Sequence, residues 1–179
     1  MFSVTTERPE DRAAIDQLLD RAFGPDRKEK TSYAYRKGVP PVADLQFVAR
    51  RDTDGAILGT LRFWPVRIGS HGALLLGPLA VEPSLKGKGI GAALMFHGLD
   101  AAAWAGHARV VLVGELDYYA RFGFAPATPL GLVMPNEAPE RLLARELAKG
   151  AFAGVSGAVA RHPGRPLRGP ALPRALNAT

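Results

Sequence analysis

The sequence predicts an α+β chain around one mixed sheet, and three observations carry that expectation. Turn-punctuated runs with strand character fill much of the first half. One long stretch of helical period follows a glycine-rich turn at residues 87–91. A short, continuously apolar run from Arg109 to Val113 comes after it, as expected of a strand buried on both faces.

Taken in order, Phe2 to Thr6 alternates as a first strand, and Pro9-Glu10-Asp11 opens a helix. On that helix Ala14, Ile15, Leu18, Leu19 and Phe23 share one face, and Gly24-Pro25 ends it. Residues 27–37 read as a second, basic helix of uncertain length, because Tyr33, Tyr35 and the break from Gly38 to Pro41 interrupt it. Leu45 to Arg51 and Ala56 to Ile68 bracket the hairpin turn Asp52-Thr53-Asp54-Gly55. Gly69-Ser70-His71-Gly72 makes another turn before a strand at 73–82, so three antiparallel strands lead into the glycine turn.

From Gly89 to Ala105, Ile90, Leu94, Leu99 and Ala102 mark a long helix that packs on the sheet. Beyond Arg109 to Val113, the segment 116–122 reads as a short helix, 130–134 as a strand, 137–149 as a helix and 152–160 as a small-residue strand. The composition breaks near Arg161, which predicts one domain over 1–160 and a Pro/Arg-rich extension over 161–179.

At 179 residues and 47% hydrophobic content, the chain can bury one substantial core. No apolar run approaches the roughly eighteen residues of a membrane helix, and MFSVTTERPED lacks the regions of a signal peptide. A soluble cytoplasmic protein with no membrane partner is the expectation. The absence of cysteine excludes disulfides, thiolate zinc sites and a cysteine nucleophile. His71, His97, His107 and His162 show no metal-binding spacing, so no metal is expected. Ser84 and Ser156 lack a nucleophile elbow, and Trp64 and Trp104 read as core or cleft-wall aromatics. The net charge of +6 comes mostly from Arg161, Arg165, Arg168 and Arg174, in a tail with four prolines and no acid. Nucleic acid is not the expected partner, since no aromatic platform accompanies those arginines.

The run LGPLAVEPSLKGKGIG over residues 76–91 joins an apolar strand to a glycine-rich turn that opens a helix. Gly87, Gly89 and Gly91 let an anion approach several amides at once, the helix adds unpaired N–H groups and a positive dipole end, and Lys86 and Lys88 add full charges. A Walker A loop would need Ser or Thr after a Gly-Lys pair, and a dinucleotide fingerprint would need G-x-G-x-x-G; neither spacing is present. Gly77-Pro78, inside an otherwise buried strand, marks a bulge or a place where neighbouring strands part.

Lys86-Gly87-Lys88-Gly89-Ile90-Gly91 resembles the Q/R-x-x-G-x-G/A acyl-CoA signature of the GNAT N-acyltransferase superfamily, with Lys in the first place. Leu79-Ala80-Val81-Glu82-Pro83 is similar to that family's pantetheine-pairing strand, and Tyr119-Ala120-Arg121-Phe122-Gly123-Phe124 to its Y-x-x-x-G-F element. Through VVLVGELDYYARFGF and ELAKGAFAGVSG the chain resembles the YhbS-like group of bacterial acetyltransferases over residues 1–160.

The resemblance implies a mostly antiparallel sheet with flanking helices, and a splay between the fourth and fifth strands filled by pantetheine. It implies direct transfer of an acetyl group from acetyl-CoA to a primary amine of a small molecule or a protein. Leu79, Ala80, Val81, Lys86, Gly87, Lys88, Gly89, Ile90 and Gly91 would bind the cofactor. A strand amide near Leu79 would polarise the thioester carbonyl, and Tyr119, with Tyr118 as fallback, would protonate the CoA sulfur. The family's strand Glu is absent, since Leu74-Leu75-Leu76 is apolar, and its Asn after the next strand is missing too. Glu115 is the first candidate base, directly or through water, with Asp117 and His71 behind it. The alternative is a degenerate acyl-CoA-binding sensor without turnover. Acceptor specificity would lie in the loop after Phe23, residues 27–41 and the segment from Leu130 to Pro135.

Overall fold

A computed structural model describes residues 1–163, whose centre is a mixed, mostly antiparallel sheet. Its first four strands, β1 (Phe2–Thr6), β2 (Gln46–Arg51), β3 (Ile57–Ile68) and β4 (His71–Val81), are antiparallel neighbours in sequence order. Next to β4 lies β5 (Arg109–Val113), parallel to it, and then β8 (Leu142–Glu146), antiparallel to β5. Two-residue β6 (Ala125–Pro126) closes that edge, while β7 (Leu132–Val133) pairs with β9 (Gly157–Arg161). β9 in turn pairs with the far end of β3, Val159 opposite Ile68.

Two helices dress opposite faces because strand residues alternate between them. Leu94, Met95, Leu99 and Ala102 of α3 (Ile90–Trp104) pack with Phe47, Ala49, Leu61, Phe63, Leu74 and Leu112. On the other face Ile15, Leu18 and Leu19 of α1 (Arg12–Phe23) meet Val48 and Ala80. Each of the larger apolar side chains among them, Leu, Ile, Val, Met or Phe, contributes about 1.5–3 kcal/mol on full burial. α3 comes very close to the sheet: a Cβ on Gly98 would stand 2.7 Å from Leu61 Cδ2 and 2.9 Å from Phe63 Cε2, both side chains fully buried. Trp104 departs from its expected core or cleft-wall place and is 93% exposed. It lies two positions past Ala102, about 200° round the helix from the buried face.

The expected helix over 137–149 is not formed. A 3-10 turn, Pro139–Arg141, leads directly into β8, whose Leu142, Leu143 and Ala144 are buried. That strand supplies the hydrogen-bonding partners β5 needs on its outer edge, and this tertiary demand outweighs the helical spacing. The basic helix expected over 27–37 reduces to a 3-10 turn, Pro25–Glu29, and a single turn, α2 (Thr31–Ala34). Arg27 is buried there, drawn back onto α1 by Asp20 at 2.7 Å and Asp16 at 3.2 Å. The strand expected over 130–134 shrinks to β7, because Gly131, at φ +71°, ends a 3-10 turn, Thr128–Leu130, just before it. The strand expected over 152–160 begins at Gly157 and ends at Arg161, and His162 is buried. The remainder of the expected C-terminal extension, 164–179, lies outside the described residues.

β4 and β5 are paired only at Leu74 with Val110 and Leu75 with Val111. Beyond Leu75, β4 runs on to Val81 and β5 to Val113 without pairing to each other. The parting begins at Gly77-Pro78: Leu61 faces Leu79 and Phe63 faces Leu76, so β4 holds one residue more than β3. Proline has no N–H to give a ladder, and the extra residue re-aims the strand. The splay expected between the fourth and fifth strands is therefore present.

Candidate active site

The parted strands open a cleft of about 1000 Å³. One wall is β4 from Leu75 to Val81, and opposite it lie Val113, Gly114 and the short helix α4 (Leu116–Tyr119). The glycine turn and the segment after α1 complete its lining. Leu79, Ala80, Val81, Lys86, Gly87, Gly89, Ile90, Gly91, Glu115 and Tyr119 all line it; Lys88 is exposed outside it.

Gly87 and Gly89 both have φ +81°, a left-handed conformation that side chains avoid. Nothing comes within 4 Å of where a Cβ would sit on either, so the turn presents open space rather than packed side chains. Gly89 N-caps the fifteen-residue α3, which starts at buried Ile90 and aims its unpaired first-turn amides at that space. Gly91 is required for another reason: a Cβ there would stand 2.7 Å from the Tyr118 hydroxyl. Exposed Lys86 adds a cation at the rim.

α4 and the 3-10 turn that follows hold an aromatic cluster. Tyr119 meets Tyr118 edge-on at 4.9 Å between ring centroids and Phe124 at 6.1 Å, while Tyr118 meets Phe122 at 5.5 Å. Burial, helped by the nearby Tyr118 and opposed by Arg141, pushes the Tyr119 hydroxyl up to about 12, so it is a neutral proton donor at neutral pH. Burial also raises Tyr118, against the pull of Arg121, whose guanidinium lies 4.8 Å from its ring centroid.

Glu115 caps α4, with its side chain 76% exposed and its carboxylate accepting from Arg141 Nε at 3.1 Å. The weaker base candidates are not brought into the cleft. His71 lies at the start of β4 by the hairpin turn, and Asp117 is exposed on α4.

Sequence reasoning placed Arg36 only within the acceptor-side segment 27–41, without singling it out, and missed Glu137 and Arg141 of the cleft lining. Glu137 has a 13% exposed side chain and lies 3.6 Å from the Arg141 guanidinium, so Arg141 joins it to Glu115. Arg36 lies over the Tyr33 ring at 4.7 Å and the Trp64 ring at 5.7 Å. Trp64 is itself fixed by its indole N–H, which donates to the Gly77 carbonyl at 2.7 Å. The available signal was an arginine directly after two closely spaced tyrosines, in a segment too irregular for a helix.

A family model described as an acetyltransferase (GNAT) domain matches residues 43–126, from just before β2 to the end of β6. The uncharacterized N-acetyltransferase YhbS of Escherichia coli K12 is 33% identical over 162 residues, which make up 89% of this chain and 95% of that protein. The crystal structure of E. coli YhbS in complex with CoA superposes with a TM-score of 0.79 at 31% identity, covering 90% of this chain and 89% of that one. A GNAT family acetyltransferase from Brucella melitensis, in complex with acetyl-CoA, gives 0.70 at 32% identity, covering 92% and 97%.

Proposed function

The chain belongs to the GNAT acetyltransferase family, and from that premise we propose that it transfers an acetyl group from acetyl-CoA directly to the primary amine of a small molecule or a protein. The observation that carries this reading is a single cleft joining the open glycine turn, the parted edges of β4 and β5, and the half-buried Tyr119.

The residues present fit the donor. The space over Gly87 and Gly89 admits a diphosphate, which the amides of the turn and of Ile90 and Gly91 would hold, with Lys86 adding charge at the rim and Lys88 adding it only from outside the cleft. The β4 edge over Leu79, Ala80 and Val81, unpaired to β5, offers backbone groups to the pantetheine amides. Bound there, acetyl-CoA supplies an acetyl thioester.

The remaining work falls to the chain's own groups. Holding donor and amine side by side in one cleft makes their encounter effectively unimolecular, the largest contribution expected of such a site. An amide near Leu79 polarises the thioester carbonyl. Glu115 takes the amine proton through a water as the nitrogen bonds to the acetyl carbon, and Tyr119 gives its proton to sulfur as the carbon–sulfur bond breaks. Glu137 lines the same cleft and is the more enclosed carboxylate, which makes it the second candidate base.

Thiol release from acetyl-CoA, measured against a panel of primary amines, tests the reading. Tight CoA binding with no thiol release on any amine would overturn it.

A further inference from the structure

Among the described residues, three arginines near the cleft are matched to carboxylates, exposed Arg121 bonds the Tyr118 carbonyl, and Arg36 is the part-buried one without a counter-charge. Arg27 is held by Asp16 and Asp20, Arg62 by both oxygens of Glu7 at 2.7 Å, and Arg141 by Glu115 and Glu137. Arg36 has no carboxylate within ion-pair distance, and its buried Nε has no hydrogen-bond partner. A cation withdrawn from water without a counter-charge is costly, and a protein can recover that cost when a ligand brings the missing anion.

The guanidinium is also held in place. Its two aromatic neighbours fix its plane, and Gly77 lies so close that a Cβ there would stand 3.0 Å from Arg36 Nη2. A fixed planar fork of this kind suits a two-oxygen anion. It is not placed for the diphosphate. Gly77 precedes Val81 by four strand residues, so Arg36 stands about 13 Å back along β4 from where the strand enters the glycine turn. The thioester end of the donor carries no charge to offer it.

Resting on the transferase reading above, we propose that the acceptor amine carries an anionic group, a carboxylate or a phosphate, which docks on Arg36 beside Gly77, back along β4 from the glycine turn. Burial pulls Arg36 down to about 10, so it still carries its charge at neutral pH. The acceptor is thus amino-acid-like in its charge pattern rather than a polyamine.

Thiol release measured on matched amines tests this: an amino acid, its uncharged amide, the corresponding aminoalkylphosphonate, and spermidine. The anionic amines should be preferred by about 100-fold in kcat/KM over the amide and spermidine, because a site built for a charged partner rejects one lacking it. Whichever anionic member is better identifies the group. In Arg36→Met the KM for the anionic amine should rise at least tenfold while acetyl-CoA affinity by calorimetry holds, and the melting temperature should not fall. Arg36→Lys keeps the charge without the fork, and carries the same KM test should the Met variant fail to fold. Titration of the N-acetylated anionic products into the CoA complex reads the site without turnover: the wild type should bind them and the Arg36 variants should not. Equal use of the amide or spermidine, an unchanged KM, or no binding of any anionic product overturns the proposal. Loss of acetyl-CoA binding by the wild type overturns the transferase reading instead.

Discussion

Gly114 lies against the ring of Tyr119: a Cβ on Gly114 would clash with Tyr119 Cε2 and stand 3.0 Å from Cδ2. Gly114 has an ordinary negative φ region available to any residue, so its smallness serves the tyrosine rather than the backbone. The end of β5 therefore sets where the proposed proton donor sits.

In Gly114→Ala the ring must move. kcat should fall about 10- to 100-fold, since misplacement of a reacting group by an ångström has that scale of effect, while the acetyl-CoA dissociation constant changes little. The overpacking should also lower stability by about 1–3 kcal/mol in denaturant melts. Wild-type kcat in this variant would show that the ring position does not govern turnover.

Tyr119→Phe keeps the ring and removes the proton. kcat should drop about 10²- to 10⁴-fold with acetyl-CoA affinity retained. Because the hydroxyl is raised to about 12, it stays protonated when the unfolded chain's tyrosine ionises near 10. Its stability contribution is thus complete below about pH 10 and lost as pH rises to about 12, a loss that Tyr119→Phe should remove from alkaline melting curves. Unchanged turnover would take Tyr119 out of the chemistry.

Glu115→Gln should lower kcat by about 10- to 100-fold if its carboxylate relays the amine proton. The parallel variant Glu137→Gln decides between the two carboxylates that Arg141 bridges. A silent Glu115→Gln beside an impaired Glu137→Gln would transfer the role to Glu137.

Gly89→Ala forces a side chain into φ +81°, at a cost of about 1–2 kcal/mol for a residue other than glycine. The turn should relax away from its anion-holding shape, weakening acetyl-CoA about tenfold or more by calorimetry. The kcat at saturating donor should be nearly retained, because no proton-transfer group is touched. Unaltered affinity would disconnect this turn from donor binding.

The sheet was legible because it rests on local signals: the turns at Asp52–Gly55 and Gly69–Gly72 set the hairpins, and continuous apolarity marks β5. The splay was legible only through the family resemblance, since Gly77-Pro78 by itself fits a bulge as well as a parting of strands. Helical spacing misled over 137–149, where Leu142 and Leu143 serve a strand whose identity depends on β5, distant in sequence. The glycine turn and Tyr119 were legible as well, since close spacing along the chain defines them. Arg36 and Glu137 were not, because what distinguishes them is a missing partner and a shared cleft, and both arise only when segments far apart in sequence meet.

The two tryptophans occupy opposite optical environments. Trp104 stands in water, while Trp64 lies beneath Arg36 with its indole N–H bonded to the strand. Replacing Trp104 by Phe would leave a single tryptophan, packed beside the arginine proposed to hold the acceptor. Its emission would then report on occupancy of Arg36 in real time, without a label and without waiting for turnover.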